Sequence, residues 1–193
     1  MNLLGGTVGI IGAVLCLVIV LLVLWVILTY NKLVRQRNQV DASWAQIDVQ
    51  LKRRYDLIPN LVETVKGYAA HEKGTLDAVI QARNTAVAAS NADPAARANA
   101  ENAVTQTLGR LFALAEAYPN LKANENFMAL QSELANTEDK IAYARQFYNS
   151  AVQTYNNATQ TIPANIIAGM MGFKPKQFFE TGEGERGPVQ VRF

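Results

Sequence analysis

One histidine and one cysteine narrow the chemistry open to this 193-residue chain. His71-Glu72 begins like a His-Glu-x-x-His zinc site but has no second histidine. A di-iron carboxylate centre needs Glu-x-x-His on each of two helices, which a single histidine cannot supply. Cys16 lies inside an apolar run, so no thiol nucleophile stands outside it, and neither a Gly-x-Ser-x-Gly elbow nor a Walker glycine loop occurs. What remains are charged residues beside apolar stripes. Glu72 lies four before Leu76 and Arg83 four after Val79, and Glu138 and Arg145 are seven apart, hence on one helical face. They read either as a buried acid–base site or as polar pairs between helices that fix register. The second reading is favoured because no nucleophile, metal set or histidine accompanies them. The expectation is therefore no catalytic residue, no metal and no cofactor, with His71 a surface or helix-contact side chain. Lys52-Arg53-Arg54 reads as a solvated helix end, a headgroup or partner patch being the other reading.

The elements that would position these residues are helices. Alanine is abundant, proline rare, and no stretch alternates as a strand would. Leu33, Val40, Trp44, Ile47, Leu51 and Ile58 recur at steps of three, four and seven, predicting a first helix to about Asp56. Pro59 then interrupts, with Asp56 placed to cap a second helix carrying Leu61, Val65, Tyr68, Leu76, Val79 and Val87 and ending at Ser90-Asn91-Ala92. Asp93-Pro94 is a cap followed by proline at the first helical position, and starts a third helix with Val104, Leu108, Leu111 and Ala115. Tyr118-Pro119-Asn120 stops it. A fourth, from near Asn124 to before Pro163, carries Phe127, Leu130, Leu134, Ile141, Tyr148, Val152 and Tyr155. The fold class expected is all-α: an N-terminal transmembrane helix followed by an antiparallel, up-and-down four-helix bundle. If Pro59 only kinks one long helix, three helices result.

The domain plan is a transmembrane anchor over 1–29, a helical bundle over 30–162, and an apolar segment with a flexible tail over 163–193. Val8 to Leu28 holds no charge and no proline, and at about 1.5 Å per residue it covers roughly 30 Å, the depth of a bilayer core. A cleaved signal peptide would want a basic n-region, a shorter apolar stretch and a small-residue cleavage site, so an uncleaved anchor is expected. Trp25 and Tyr30 are placed for the interfacial aromatic belt. Lys32, Arg35 and Arg37 flank the C-terminal end of the span, which by the positive-inside rule puts the bundle in the cytoplasm and the N-terminus outside. Ile166 to Phe173 is short, apolar and glycine-spaced, followed by Lys174 and Lys176. Met170, Met171 and Phe173 are expected at the membrane interface, the alternative being that the segment folds back on the bundle as core. Thr181 to Gly187 reads as a flexible tail and Val189 to Phe193 as a short strand.

A net charge of +2 and scattered basic residues argue against nucleic acid as a partner. The chain resembles the LemA family of bacterial membrane proteins. The resemblance is carried by Tyr55-Asp56-Leu57-Ile58-Pro59-Asn60-Leu61-Val62, Val65-Lys66-Gly67-Tyr68, His71-Glu72, Ala82-Arg83, and Glu116-Ala117-Tyr118-Pro119-Asn120-Leu121-Lys122-Ala123-Asn124 with Phe127. It continues with Thr137-Glu138, Ala144-Arg145, Tyr148-Asn149 and Tyr155-Asn156, covering roughly Tyr30 to Glu180. It implies an anchor in the bacterial inner membrane and an up-and-down helical bundle, and no established biochemical activity. The expected function is a membrane-anchored scaffold or interaction protein that self-associates, with the bilayer and a second copy as partners. An accessory or adaptor subunit of a membrane protease or envelope-stress system, docking a membrane-protein partner, is the alternative. An enzyme using Glu72, Arg83, Glu138 or Arg145 is the remote one.

Overall fold

The computed structural model describes residues 3–180, with side chains from residue 11 onward. Among the described residues every regular element is helical: α1 (Leu3–Lys66), α2 (Lys73–Ala88), a 3₁₀ turn at Ala89–Asn91, α3 (Pro94–Ala115), α4 (Pro119–Lys122), α5 (Glu125–Gln160) and α6 (Ala164–Met170). The flexible tail expected at Thr181 to Gly187 and the strand expected at Val189 to Phe193 lie outside the described residues. Two compact units divide the chain. An anchored unit comprises Met1–Asp41 with Ala151–Lys176, and an outer unit comprises Ala42–Ser150 with Gln177–Phe193.

In the outer unit the apolar stripes are largely buried as their spacing demands, except that Tyr68, in the break after α1, and Val87, near the end of α2, are exposed. Ile47, Leu51, Ile58, Leu61 and Val65 of α1 are buried, as are Leu76 and Val79 of α2, Val104, Leu108 and Leu111 of α3, and Phe127, Leu134 and Ile141 of α5. Each such side chain contributes about 1.5–3 kcal/mol of burial. The cap at Asp93 forms as its type predicts: its Oδ1 accepts from the amides of Ala95 (3.1 Å) and Ala96 (3.0 Å), with Pro94 opening α3. Asn124 caps α5 the same way, Oδ1 accepting from the Phe127 amide at 3.0 Å.

The first helix does not stop at Asp56. Pro59 sits inside α1, which continues to Lys66, and the break falls at Gly67–Glu72. A proline there removes the amide that would bond the carbonyl of Tyr55, four residues earlier. That carbonyl instead accepts from Arg83 Nε of α2 at 3.1 Å. The bond lost to the proline is thus replaced from a neighbouring helix, and the helix runs on. After Lys66 the chain closes turns at Tyr68 and Ala69, whose amides both reach the Val65 carbonyl (3.0 and 2.9 Å), and α2 begins only at Lys73.

The anchored unit holds the segment long and apolar enough to cross a membrane, and its large apolar side chains from Ile11 to Leu28 are exposed, except the half-buried Val26. Beyond it Leu33 and Val40 are buried, together with Val152 and Tyr155 of α5 and Ile167 and Ala168 of α6. α6 ends in a Schellman turn. The Phe173 amide reaches the Ala168 carbonyl at 2.9 Å and Gly172 takes φ +72°, a left-handed conformation that costs any residue with a Cβ.

Candidate functional site: a buried arginine layer and a clamped C-terminal segment

Leu33, Val40, Ile47, Arg54 and Leu61 of α1 are spaced by sevens, so Arg54 occupies a core position rather than a solvated helix end. It is fully buried. Its Nη2 pairs with Glu101 of α3, also fully buried. Its Nη1 reaches Glu138 of α5 at 2.7 Å and the Thr105 hydroxyl at 3.2 Å. Tyr55 donates its hydroxyl to the other Glu101 oxygen. Burial first, then the hydrogen bond to Glu101 and that carboxylate's charge, push the Tyr55 phenol well above its ordinary value, so it remains a protonated donor. Arg97 of α3 is likewise buried. It pairs with Asp48 at 2.5 Å and lies over the Trp44 ring at 5.1 Å.

Of these residues the sequence singles out Arg54, within a Lys52-Arg53-Arg54 triplet expected to be solvated, and Tyr55, within a motif that carries the family resemblance, but neither Arg97 nor Glu101. Lys52 and Arg53 are exposed, and Arg53 pairs with Glu133. Register was the available signal: Ala98, Glu101, Val104, Leu108 and Leu111 of α3 step by three and four, so Glu101 shares the buried face of its apolar neighbours.

The four charged residues expected to form structural polar pairs go to four separate partners. Glu72 is not on the inward face of a helix; it is the residue before α2, and accepts from the Tyr118 hydroxyl at 3.4 Å. Arg83 serves the Tyr55 carbonyl and the Asn84 amide oxygen. Glu138 joins Arg54, and Arg145 lies over the Phe179 ring at 4.9 Å. His71 is exposed. Among the described residues no three His, Cys, Asp or Glu side chains converge as a metal site would require. The arrangement can hold helices in one register. Its charges are turned on one another, while Arg54 Nε and Arg97 Nε are buried without a hydrogen-bond partner.

In the anchored unit the aromatic and basic residues expected at the interface stand where the span ends. Trp25 and Tyr30 are partly exposed, and Lys32, Arg35 and Arg37 are exposed. Phe173 differs from expectation. It is buried, its ring meeting Tyr30 edge-on at 5.7 Å with the Arg37 guanidinium at 5.5 Å. The Schellman turn reverses the chain at Gly172 and swings Phe173 inward, while Met170 and Met171 stay exposed.

The chain after Phe173 is held by backbone bonds to a pattern the sequence displays twice. Tyr155-Asn156 grips it in the anchored unit: Tyr155 Oη donates to the Lys174 carbonyl (3.1 Å), and the Asn156 amide both donates to and accepts from Lys176 (2.8 Å each). Tyr148-Asn149 does the same in the outer unit, Tyr148 Oη to the Gln177 carbonyl (2.9 Å) and Asn149 to both backbone groups of Phe179 (3.1 and 2.9 Å). Burial raises the Tyr155 phenol as well. Phe179 then fills a pocket against Trp44, ring centroids 5.5 Å apart. These motifs carried the family resemblance, but nothing in their spacing named the segment they hold.

The family model described as LemA family matches residues 43–193. A magnetosome protein MamQ of Paramagnetospirillum magneticum is 26% identical over 187 residues, covering 84% of this chain and 69% of that protein. The MamQ of Magnetospirillum gryphiswaldense is 25% identical over 208 residues, covering 95% and 76%. The protein LemA of Metamycoplasma hominis is 24% identical over 161 residues, covering 83% and 73%. With a membrane-associated helical build and a match over most of its length, the chain belongs to the LemA family.

Proposed function

We propose that this chain is a single-pass membrane-anchored helical scaffold that self-associates and performs no catalysis of its own. Its helices stand on the cytoplasmic side of the bacterial inner membrane. One observation carries the reading: Tyr143 and Phe147, one turn apart on α5, are exposed, Tyr143 by 74%. Two aromatic rings side by side in water are costly for a surface and apt for a contact between copies. The burial of Arg54 and Glu101 against each other supports it from the other side, since those charges serve packing. The relatives named for the magnetosome stand beside one named only for the family. What carries over from them is a membrane-associated helical protein and not a particular process.

Light scattering of the full chain in detergent, over a wide concentration range, tests self-association. The scaffold reading expects a particle of several copies that Tyr143→Ser with Phe147→Ser reduces. Monomer at every concentration counts decisively against it. The adaptor reading is favoured by a cleft of about 410 Å³ where Asp48, Lys52, Asp56, Arg83 and Arg97 stand around the apolar Val87, which suits an amphipathic segment of another membrane protein. A monomer that co-purifies with one other protein would select it. Loss of cellular function on replacing Glu72, Arg83, Glu138 and Arg145 each by Gln, in a protein that still folds, would revive an enzymatic reading. For orientation, a periplasm-dependent reporter fused at Phe193 should be silent and a cytoplasm-dependent one active; the reverse pattern overturns the assignment.

A further inference from the structure

The anchored unit leaves apolar surface uncovered at the level where its membrane span ends. Ile162, Ile166, Met170 and Met171 are each more than half exposed. Ile166 and Met170 are four apart on α6, and the neighbours Ile167 and Ala168 point inward and are buried, so α6 presents one apolar face outward, with Ile162 exposed in the turn just before it. Two contacts fix its height. Phe173 meets Tyr30 edge-on at 5.7 Å, and a groove is lined jointly by Thr29, Lys32 and Gln36 of α1 and by Thr161, Ile162 and Ala164. Tyr30 lies two residues past the apolar run, about 3 Å along the helix axis. The exposed face is therefore continuous with the edge of the span.

We propose that α6 lies in the membrane surface. Ile162, Ile166, Met170 and Met171 enter the acyl boundary, and Lys174 sits among headgroups, giving the unit a second grip on the bilayer beside its span. The charge of the unit fits such a surface. Lys32, Arg35, Arg37, Lys174 and Lys176 stand against a single carboxylate, Asp41, which Lys176 pairs at 3.0 Å. Cations ringing an apolar face are the composition of an interfacial helix on anionic lipid. Phe173 takes no part, being turned onto Tyr30 and Arg37. The proposal goes beyond the scaffold reading and rests only on anchorage.

Spin labels on the full chain, reconstituted in vesicles of phosphatidylethanolamine and phosphatidylglycerol, test it in a Cys16→Ser background. Labels go singly at Val18→Cys, Ile166→Cys, Met170→Cys, Phe173→Cys and Asp77→Cys. The expected result is that positions 166 and 170 relax with oxygen and not with a water-soluble nickel chelate, as position 18 does and position 77 does not. Position 173 should be shielded from both. If 166 and 170 meet the chelate as freely as 77 while 18 remains in lipid, the interfacial placement is wrong and the anchor stands. If 18 itself meets the chelate, both fall. If 166 and 170 are shielded from both reagents and labels at 170 couple magnetically between copies, a second copy covers the face and the lipid assignment is overturned.

Discussion

The outer and anchored units solve opposite problems. The outer unit buries charge: Arg54 and Glu101 are sealed from water among leucines and isoleucines. The anchored unit exposes oil: Ile162, Ile166 and Met170 stand outward with nothing of their own unit over them. Charge buried away from water is costly and tolerable only when it is paired, so it acts on which helices pair and in what register. Exposed apolar side chains are costly in water and favourable elsewhere, so they bear on what surrounds the unit. The formal charges divide accordingly, with five basic and one acidic residue in the anchored unit, thirteen and fifteen in the outer one.

The largest effect is expected where the contrast is sharpest. Arg54→Ala strands Glu101 in the core and should cost about 3–5 kcal/mol, read by thermal or urea unfolding of the full chain in detergent. Replacing the set with apolar residues of similar size (Arg54→Met, Glu101→Leu and Tyr55→Phe together) should recover most of that loss. A triple variant as unstable as Arg54→Ala would mean that the layer supplies net stability and not register.

Next comes the bond that lets α1 pass its proline. Arg83→Met leaves the Tyr55 carbonyl without its 3.1 Å donor, for a loss of about 1–3 kcal/mol. Pro59→Ala restores an amide that can bond the same carbonyl, so Arg83→Met should cost less in that background. Additive losses in this double-mutant cycle would show that Arg83 acts elsewhere.

These residues also mark what the sequence reveals. The all-helical class, the cap at Asp93 and the start of α5 follow from local rules, because a cap is satisfied within three residues of itself. Pro59 misled because its cost depends on a side chain twenty-four residues away. No local rule states that Arg83 will supply the missing donor, and the helix boundary moved accordingly to Gly67–Glu72. Arg54 misled for a different reason. Its sevenfold register with Leu33, Val40, Ile47 and Leu61 was legible, but composition outweighed period, since a basic triplet is ordinarily solvated. The Tyr-Asn pairs were visible as motifs. Their ligand, a backbone segment outside any regular element and with no sequence signature of its own, was not.

A smaller effect separates Tyr55 from ordinary tyrosines. Its folded phenol is held protonated above 10.0, the value expected once the chain unfolds. As pH rises past 10.0 the unfolded state gives up a proton that the folded state keeps. The folded state then binds more protons, and stability falls, by up to about 1.4 kcal/mol per pH unit until the folded phenol titrates. Below 10.0 both states are protonated and the contribution is intact. Tyr55→Phe should therefore flatten this part of the alkaline loss and leave the neutral-to-alkaline slope below 10.0 unchanged. Parallel alkaline curves for the two proteins, followed by circular dichroism, would remove Tyr55 from the account.

The smallest effect tests how the C-terminal segment is recognised. Lys176 makes two kinds of contact: its ammonium pairs with Asp41 at 3.0 Å on the exposed surface, and its backbone is gripped on both sides by Asn156 at 2.8 Å. An exposed ion pair is worth about 0.2–1 kcal/mol and is screened by salt. The two amide bonds, partly shielded from water, are each worth about 0.5–1.5 kcal/mol. Lys176→Ala removes only the first, so it should shift unfolding by less than about 1 kcal/mol, with the shift vanishing at high salt. Asn156→Ala removes both backbone bonds and should cost more, independent of salt. Hydrogen exchange at the Lys176 amide separates the two directly: it should stay slow in Lys176→Ala and become fast in Asn156→Ala. The opposite ranking would make the segment a charge-held tether, and the anchored unit would then depend on its surface ions as the outer unit depends on its buried ones.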